Sequence, residues 1–361
     1  GTTLEDVLHK NISHPLWSAH LIDTDPDAIV EAHLAFLRAG SSILLTATYQ
    51  CAHETFTRAG YTHDQYVAIT HKAIALAVRA REEYMNAAPS GTPVPRIALS
   101  LGPFGATLSP AAEFSGIYPP PYGPPQPVTF FVGEHASEDG LNAEDALFEF
   151  HLKRVSMLAS SKETWDAIDI IAFETVPLVR EAKAIRRAMS ALASAQLSME
   201  IPPWWISFNF PDGVLPEQTS EGINYTAGDA LKVCFERHET APSVPDAFGI
   251  NCTQVRHLEK CLSLASETLR SLGQEVPSKP GPALVLYPNG GRVYDPTTMT
   301  WFPAVPTSSK TQGLPEADAW AVGLAEVVHD AVPEDSGWSG LLIGGCCKTE
   351  PEHISALTKL L

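Results

Sequence analysis

Short apolar runs alternate along this chain with longer segments in which apolar residues recur every three or four positions. The short runs are rich in β-branched and aromatic residues, a pattern typical of buried strands. They predict strands at Ser42–Thr48, Arg96–Leu101, Asp169–Glu174, Trp204–Phe210, Ala247–Asn251, Ala283–Leu286 and Gly340–Gly344. Because these runs are almost continuously apolar, we expect a parallel sheet that is covered by helices.

The intervening segments predict the covering helices. The first has Asp25 as its cap and Pro26 in its first turn, and it ends at Gly40. The others are predicted at Asp64–Met85, Ala143–Ser160, Leu178–Ala193, Val255–Leu272, Glu316–Asp330 and Glu350–Leu361. Strands and helices that alternate in this way indicate an α/β fold.

The fold class that fits best is a (β/α)8 TIM barrel, with residues 1–361 as a single domain. The predicted strands are one short of a closed barrel, so we expect the first strand to precede Gly1. An open, doubly wound sheet is the alternative. No GxGxxG motif follows an early strand to indicate a nucleotide site in such a sheet.

Composition narrows the function. With 24 basic and 42 acidic residues the formal net charge is −18, which excludes nucleic acids and anionic membranes as partners. No apolar run reaches the length of a membrane span, and no signal-peptide pattern opens the chain. The six cysteines do not resemble the disulfide framework of a small secreted domain. We therefore expect a reducing, cytoplasmic location with free thiols.

Three cysteines follow predicted strands. Cys252 comes directly after Ala247–Asn251, and Cys346 and Cys347 come just after Gly340–Gly344 and its continuation Gly345. Barrels carry their chemistry at the carboxyl ends of the strands, and three thiols there suit a zinc ion with one open coordination position. A redox disulfide between Cys346 and Cys347, or a structural zinc with four protein ligands, is an alternative. Cys234 and Cys261, on predicted helices, are expected to be inert.

Polar residues close other strands. Glu174 ends a buried strand, where it could grip a substrate ammonium group, form an internal ion pair or cap the next helix. Thr46 and Tyr49 lie at the end of the first strand, and Tyr49 could present its ring to a cation or simply cap the core. Asn289 lies in a turn after Ala283–Leu286.

At these residues the chain resembles the homocysteine S-methyltransferase family. The resemblance runs from end to end and rests on Gly1–Glu5, Ser100–Ala106, Phe173–Thr175, Gly249–Cys252 and Gly344–Cys347. Members of this family are zinc-dependent (β/α)8 barrels that methylate homocysteine to methionine. Their first strand carries an Asp-Gly-Gly ahead of the position that matches Gly1. The segment Tyr287–Asp295 looks like the branch that uses S-methylmethionine or S-adenosylmethionine, and a betaine-type donor is the alternative.

The resemblance implies Cys252, Cys346 and Cys347 as zinc ligands and Glu174 as the contact to the homocysteine amino group. It implies homocysteine and a sulfonium methyl donor as the small-molecule partners. We further expect four strand-end residues to line the pocket: Thr46, Tyr49, Asn251 and Asn289.

A proline-rich stretch occupies residues 118–127, beginning Tyr118-Pro119-Pro120-Pro121-Tyr122. Its composition is incompatible with a helix and fits either a polyproline ligand or a long loop after a strand. As a loop it would border the mouth of the site.

Overall fold

Seven parallel strands form one curled sheet in the computed structural model, which describes residues 1–195, 200–273, 281–295, 300–303, 311–332 and 336–360. The strands are β1 (Ile43–Leu45), β2 (Arg96–Leu101), β3 (Ile170–Val176), β4 (Trp204–Phe208), β5 (Ala247–Asn251), β6 (Ala283–Tyr287), β7 (Arg292–Asp295), β8 (Thr300–Pro303) and β9 (Leu341–Ile343). β7 and β8 pair with each other as a separate antiparallel hairpin.

The order of the sheet is β1-β2-β3-β4-β5-β6-β9, which is the order of these strands in the chain. A doubly wound sheet reverses its strand order at a switch point, so that alternative is wrong. The expected (β/α) barrel architecture is confirmed as a curled half-barrel. Among the described residues no strand precedes β1, and the strand expected ahead of Gly1 stays a prediction.

Helices follow the strands and cover the outer face of the sheet. They are α1 (Leu21–Thr24), α2 (Pro26–Arg38), α3 (His53–Arg58), α4 (His63–Ala87), α5 (Ala136–Ala159), α6 (Lys162–Asp166), α7 (Val179–Ala195), α8 (Ala227–Phe235), α9 (Val255–Gly273), α10 (Glu316–Ala331) and α11 (Pro351–Leu357). Among the packed pairs are α2 with α4, α5 with α7, and α8 with α9. In the described part of the chain, no helix is long and apolar enough to cross a membrane.

The predicted strands all occur, with ends that shift by a few residues, but the β7–β8 hairpin and the helices α1, α3, α6 and α8 were not predicted from the sequence. The short helix α8 begins with a capping box between Thr226 and Asp229, a local signal that is visible in the sequence. Helix α5 starts at Ala136, seven residues before the predicted start at Ala143. The prediction began too late because the first turns of the helix are largely exposed and show no helical spacing of apolar residues.

The C-terminal helix was predicted too long. α11 ends at Leu357 and is followed by a turn up to Leu360. Leu361, the predicted end, lies outside the described residues.

Alternation along the strands sorts their side chains between two faces. In β3, Ile171 and Phe173 pack among the outer apolar residues that contact the helices, whereas Ile170 and Ala172 join a smaller cluster on the inner face. Glu174 continues the inner series because side chains in a strand alternate. The same alternation places a set of polar residues on the inner face at the carboxyl edge: Ser100, Glu174, Ser207, Asn209, Asn251 and Tyr287.

A fully buried carboxylate organises the loops after β2. Glu181 on α7 accepts hydrogen bonds from the Phe104 backbone N–H (2.6 Å) and from the Tyr118 hydroxyl (2.7 Å), and it contacts His151 Nε2 at 3.0 Å. Its side chain is 0 % exposed. One α7 residue therefore fastens the start of the β2 loop and the start of the proline-rich segment to the helix layer.

The proline-rich segment folds back onto the protein. Tyr118 is buried, and Tyr122 stacks on Phe104 with ring centroids 3.7 Å apart. Both aromatic residues of the stretch are thus used in internal packing, as expected for a loop, whereas a polyproline ligand would present them to a partner.

Candidate metal and substrate site

Three cysteines meet at the carboxyl edge of the sheet, after β5 and β9. Their sulfur atoms all lie within 4.8 Å of one another, and the Sγ atoms of Cys252 and Cys347 are 3.8 Å apart. Cys252 and Cys346 are joined as a disulfide with Cα atoms 5.5 Å apart, and Cys347 is a free thiol. The predicted convergence is confirmed. The alternative disulfide between Cys346 and Cys347 is wrong, because Cys346 pairs with Cys252 instead.

The donor set fits zinc once the disulfide is reduced, because coordination needs thiolates. Two sulfurs bound at about 2.3 Å in a tetrahedral site are about 3.8 Å apart, which is the separation of Cys252 and Cys347. Burial raises the pKa of Cys347 to about 11, so this thiol needs a cation beside it to ionise at neutral pH. Within the described ranges no fourth cysteine, histidine or carboxylate joins the group. This favours three protein ligands and an open position over a structural site with four.

The remaining cysteines lie elsewhere. Cys234 in α8 and Cys261 in α9 are fully buried among apolar side chains, and burial raises the pKa of both thiols. Their expected inert character agrees with this environment. Cys51 is also buried, with its pKa raised to about 12.

The backbone next to the cysteines adopts an uncommon conformation at three non-glycine residues. Thr175 after Glu174, Cys252 and Lys348 after Cys347 have φ of 60°, 48° and 58°. Left-handed backbone costs about 1–3 kcal/mol at such residues and concentrates at functional sites. The cost is highest for a β-branched residue such as Thr175, so its surroundings must hold it in place.

Asn251 provides that support. Its Oδ1 accepts a hydrogen bond from the Thr175 backbone N–H (3.0 Å), and its Nδ2 donates to Thr175 Oγ1 (2.7 Å). Nδ2 also lies 3.9 Å from Cys346 Sγ, and Thr175 Oγ1 lies 3.9 Å from Cys252 Sγ. Asn251, which was expected to line the pocket, is fully buried, and its amide holds the turn beside the sulfurs.

Glu174 is a buried carboxylate with spare acceptor capacity. It is 5 % exposed, and its Oε1 has no hydrogen-bond partner among the described residues. Burial raises its pKa from 4.5 to about 7, although hydrogen bonds from the hydroxyls of Ser100 and Tyr287 lower it part of the way. A ligand that brings an N–H and a positive charge would satisfy this oxygen.

Thr46 and Tyr49 follow the end of β1 and form different hydrogen bonds. The Thr46 hydroxyl accepts from the Ser100 backbone N–H (3.0 Å) and lies 2.6 Å from Thr48 Oγ1, so it ties β1 to β2. Tyr49 is half-buried, and its hydroxyl is hydrogen-bonded to Thr175. Burial, and then the charges of Glu113 and Glu174, raise the pKa of Tyr49. Tyr49 thus reaches from β1 to the turn beside the cysteines.

Asn289 lies on the loop after β6, which is bonded to the cysteine loop. The Cys346 N–H donates to Pro288 O, and the Gly290 N–H donates to Cys347 O, both at 2.8 Å. A Cβ on Gly290 would lie 2.0 Å from Lys348 O, so only glycine fits. Asn289 is 6 % exposed, and its Oδ1 finds no hydrogen-bond donor within the described ranges.

Two further residues were not predicted from the sequence. Asn209 follows β4 on the inner face, and its Nδ2 donates to the Glu113 backbone carbonyl at 2.8 Å. Asn209 Oδ1 and Glu113 Oε2 are both buried acceptors that lack a partner in the described part of the chain. Alternation from Ser207 could have indicated Asn209. Glu113 lies in an irregular loop, where no period marks it.

Comparison with known proteins places this architecture in a family context. A family model described as homocysteine S-methyltransferase matches residues 1–361. The selenocysteine Se-methyltransferase of Brassica oleracea var. italica is 32% identical over 359 residues, which cover 97% of this chain and 84% of that protein. Homocysteine S-methyltransferase YbgG of Bacillus subtilis is 28% identical over 349 residues, or 96% of this chain and 88% of that protein.

A solved structure has the same fold over nearly the whole chain. The homocysteine methyltransferase MmuM of Escherichia coli, in its oxidized form, aligns with a TM-score of 0.67 and 25% identity. The alignment covers 99% of this chain and 93% of that one. The metallated form of MmuM aligns with a TM-score of 0.65 and 24% identity, covering 99% and 92%.

Proposed function

This chain belongs to the homocysteine S-methyltransferase family and methylates homocysteine, and we propose that it does so with a zinc ion held by Cys252, Cys346 and Cys347. We propose a sulfonium compound, S-methylmethionine or S-adenosylmethionine, as the methyl donor and methionine as the product. The observation that carries the proposal is the group of three sulfurs within 4.8 Å at the carboxyl edge of the sheet. In this proposal, residues 1–361 form a single homocysteine-binding domain.

The metal would supply the positive charge that keeps the homocysteine sulfur deprotonated at neutral pH. The reaction forms a bond from that sulfur to the methyl carbon and breaks the bond from the donor sulfur, which keeps the electron pair and becomes a thioether. The homocysteine thiol proton leaves to solvent. Three thiolates around a divalent cation carry one net negative charge, which favours the approach of a cationic donor.

Glu174 would bind the homocysteine ammonium group through Oε1. A paired ammonium favours the ionised carboxylate, which offsets the burial that holds the pKa near 7 in the free protein. Tyr49 and Asn289 would line the pocket with a ring face and an amide oxygen. Thr46 and Asn251 would border it while they fix the ends of β1 and β3, so that the reactants are held in position.

The need for thiolates also supports a reducing, cytoplasmic compartment, because the Cys252–Cys346 disulfide and the zinc site are mutually exclusive. A redox-thiol protein that binds no zinc is the second candidate, favoured by that disulfide alone. A thiol count and zinc analysis before and after reduction separate the two: the proposal expects two more thiols per chain on reduction, followed by uptake of one zinc.

The decisive test compares Cys346→Ser with Cys234→Ser as the matched control. Cys234 is a buried thiol of α8, outside the group of three sulfurs. We expect Cys346→Ser to lose most zinc and turnover, and Cys234→Ser to keep both. Full zinc content and full turnover in Cys346→Ser would refute the metal assignment. Product formation with S-methylmethionine, S-adenosylmethionine and betaine, each with homocysteine, identifies the donor.

A further inference from the structure

The inner face of the sheet carries a second group of buried acceptors, distinct from Glu174. Asn209 is 0 % exposed, and its Oδ1 has no donor among the residues that the structure describes. Glu113 Oε2 is also buried, and it too has no hydrogen-bond donor among the described residues. Leaving two buried acceptors without donors costs about 1–3 kcal/mol each, so the pair is built for something that supplies N–H groups.

Register places this pair beside the cysteines. The last pair of the β4–β5 ladder is Phe208 opposite Ile250, and Asn209 and Asn251 are the next residues of the two chains. The Phe210 N–H donates to Thr253 Oγ1 at 2.9 Å, so the two chains stay side by side beyond the ladder. Asn251 in turn reaches Cys346 Sγ at 3.9 Å. Besides burial, the charge of Glu113 helps to raise the pKa of Tyr49, whose hydroxyl is hydrogen-bonded to Thr175 beside the sulfurs. The Asn209–Glu113 pair therefore faces the same inner space as the three sulfurs.

The bond between the two residues fixes their arrangement. Asn209 Nδ2 donates one of its hydrogens to the Glu113 carbonyl at 2.8 Å, and Oδ1 is the acceptor of that amide without a donor among the described residues. On the loop side, the Ala112 N–H donates to Gly105 O (3.0 Å), and a Cβ on Gly105 would lie 2.9 Å from Glu113 N. The backbone of Glu113 is thus packed against the β2 loop, which fixes the position from which its carboxylate extends.

We propose that Glu113 and Asn209 form the subsite for the α-ammonium group of the methyl donor, so that the donor is an amino acid that carries both a sulfonium and a free α-ammonium. The inference rests on the proposed function, in which Glu174 takes the other ammonium group, that of homocysteine. A sulfonium has charge but no N–H and cannot satisfy a buried acceptor by hydrogen bonding. An α-ammonium offers three N–H donors. Betaine, whose nitrogen carries no hydrogen, would leave both acceptors unpaired.

Binding measured by titration calorimetry tests the subsite directly, on reduced, zinc-loaded protein. We expect Glu113→Gln to weaken binding of S-methylmethionine by about 10- to 100-fold, the range for a lost hydrogen bond to a charged group, with homocysteine affinity changed less than about twofold. Glu149→Gln, an exposed carboxylate on α5, is the matched control and should change neither affinity. Equal weakening of both ligands, or unchanged binding of S-methylmethionine, would overturn the assignment.

A ligand series on the unaltered protein gives a second readout that does not depend on the variant folding. Dimethylsulfoniopropionate keeps the sulfonium and lacks the ammonium, and we expect it to bind about 10-fold or more weakly than S-methylmethionine. Equal affinities would reject the subsite. If S-methylmethionine binds as expected but no methionine forms from homocysteine, the proposed reaction fails while the subsite stands.

Discussion

Replacement of Glu174 by Gln should make the protein more stable above neutral pH while it loses homocysteine affinity. Burial raises the Glu174 pKa from 4.5 to about 7, so the folded state holds a proton that the unfolded state releases. Between pH 4.5 and about pH 7, the contribution of this residue to the free energy of unfolding falls as pH rises, because the unfolded chain binds fewer protons than the folded one. The wild type therefore bears the full cost above pH 7 and none below pH 4.5.

The magnitude follows from the difference of about 2.5 pH units at about 1.36 kcal/mol each, or about 3 kcal/mol. With an unfolding entropy of about 2.1 cal/mol/K per residue over 361 residues, that corresponds to a Tm about 4 °C higher for Glu174→Gln at pH 8. Gln keeps the shape but carries no charge to desolvate. At pH 4.5 the two Tm values should coincide.

The assay is thermal unfolding of metal-free protein in parallel buffers from pH 4.5 to 8, with calorimetric titration of homocysteine on zinc-loaded samples. A Tm difference that is the same at every pH, or a variant less stable at pH 8, would refute the reasoning. Unchanged homocysteine affinity in the variant would instead contradict the role of Glu174 as the ammonium contact.

Three further substitutions probe the supports of the site. Asn251→Leu removes both bonds to Thr175 and should destabilise the protein by about 2–4 kcal/mol, seen as a lower midpoint in urea unfolding, and should weaken zinc binding in a chelator competition. Glu181→Ala leaves the buried donors of Phe104 and Tyr118 without an acceptor. It should lower the free energy of unfolding by about 3 kcal/mol or more, measured by urea unfolding. Gly290→Ala forces a Cβ against Lys348 O and should weaken zinc binding about 10-fold, with global stability lowered by no more than about 1–3 kcal/mol.

Matched controls separate these effects from general damage. Gly273→Ala, at the end of α9, has open space around its Cβ and should leave zinc binding unchanged. Glu163→Ala, a carboxylate in the first turn of the short helix α6, should alter stability by less than about 0.5 kcal/mol. Wild-type zinc affinity in Gly290→Ala, or a small stability change in Glu181→Ala, would contradict the roles assigned here.

Residues whose position follows from strand alternation were predictable from the sequence. The three cysteines and Glu174 stand at the ends of apolar runs, so the convergence of parallel strands brings them to one edge. Asn209 follows the same rule. It was not selected from the sequence because the predicted strand runs to Phe210, which places Asn209 inside the strand and not at its end.

Other features depend on contacts that sequence pattern does not encode. The support that Asn251 gives to Thr175 requires a left-handed backbone at a β-branched residue, which propensity argues against. Glu113 reaches the site through the path of an irregular loop, held by Gly105 and by Asn209. Helix α8 was missed because nine residues give too few turns for a clear apolar period.

The buried carboxylate of Glu181 divides the enzyme into parts that can change independently. It anchors Phe104 at one end and Tyr118 at the other, while Glu113 lies on the loop between them. The three cysteines and Glu174 belong to strand ends, outside that loop. Exchange of residues 108–117 would therefore replace Glu113 and leave both anchors and the strand-end residues intact. If Glu113 and Asn209 bind the donor as proposed, donor choice depends on this loop together with Asn209, and the loop can be grafted between relatives.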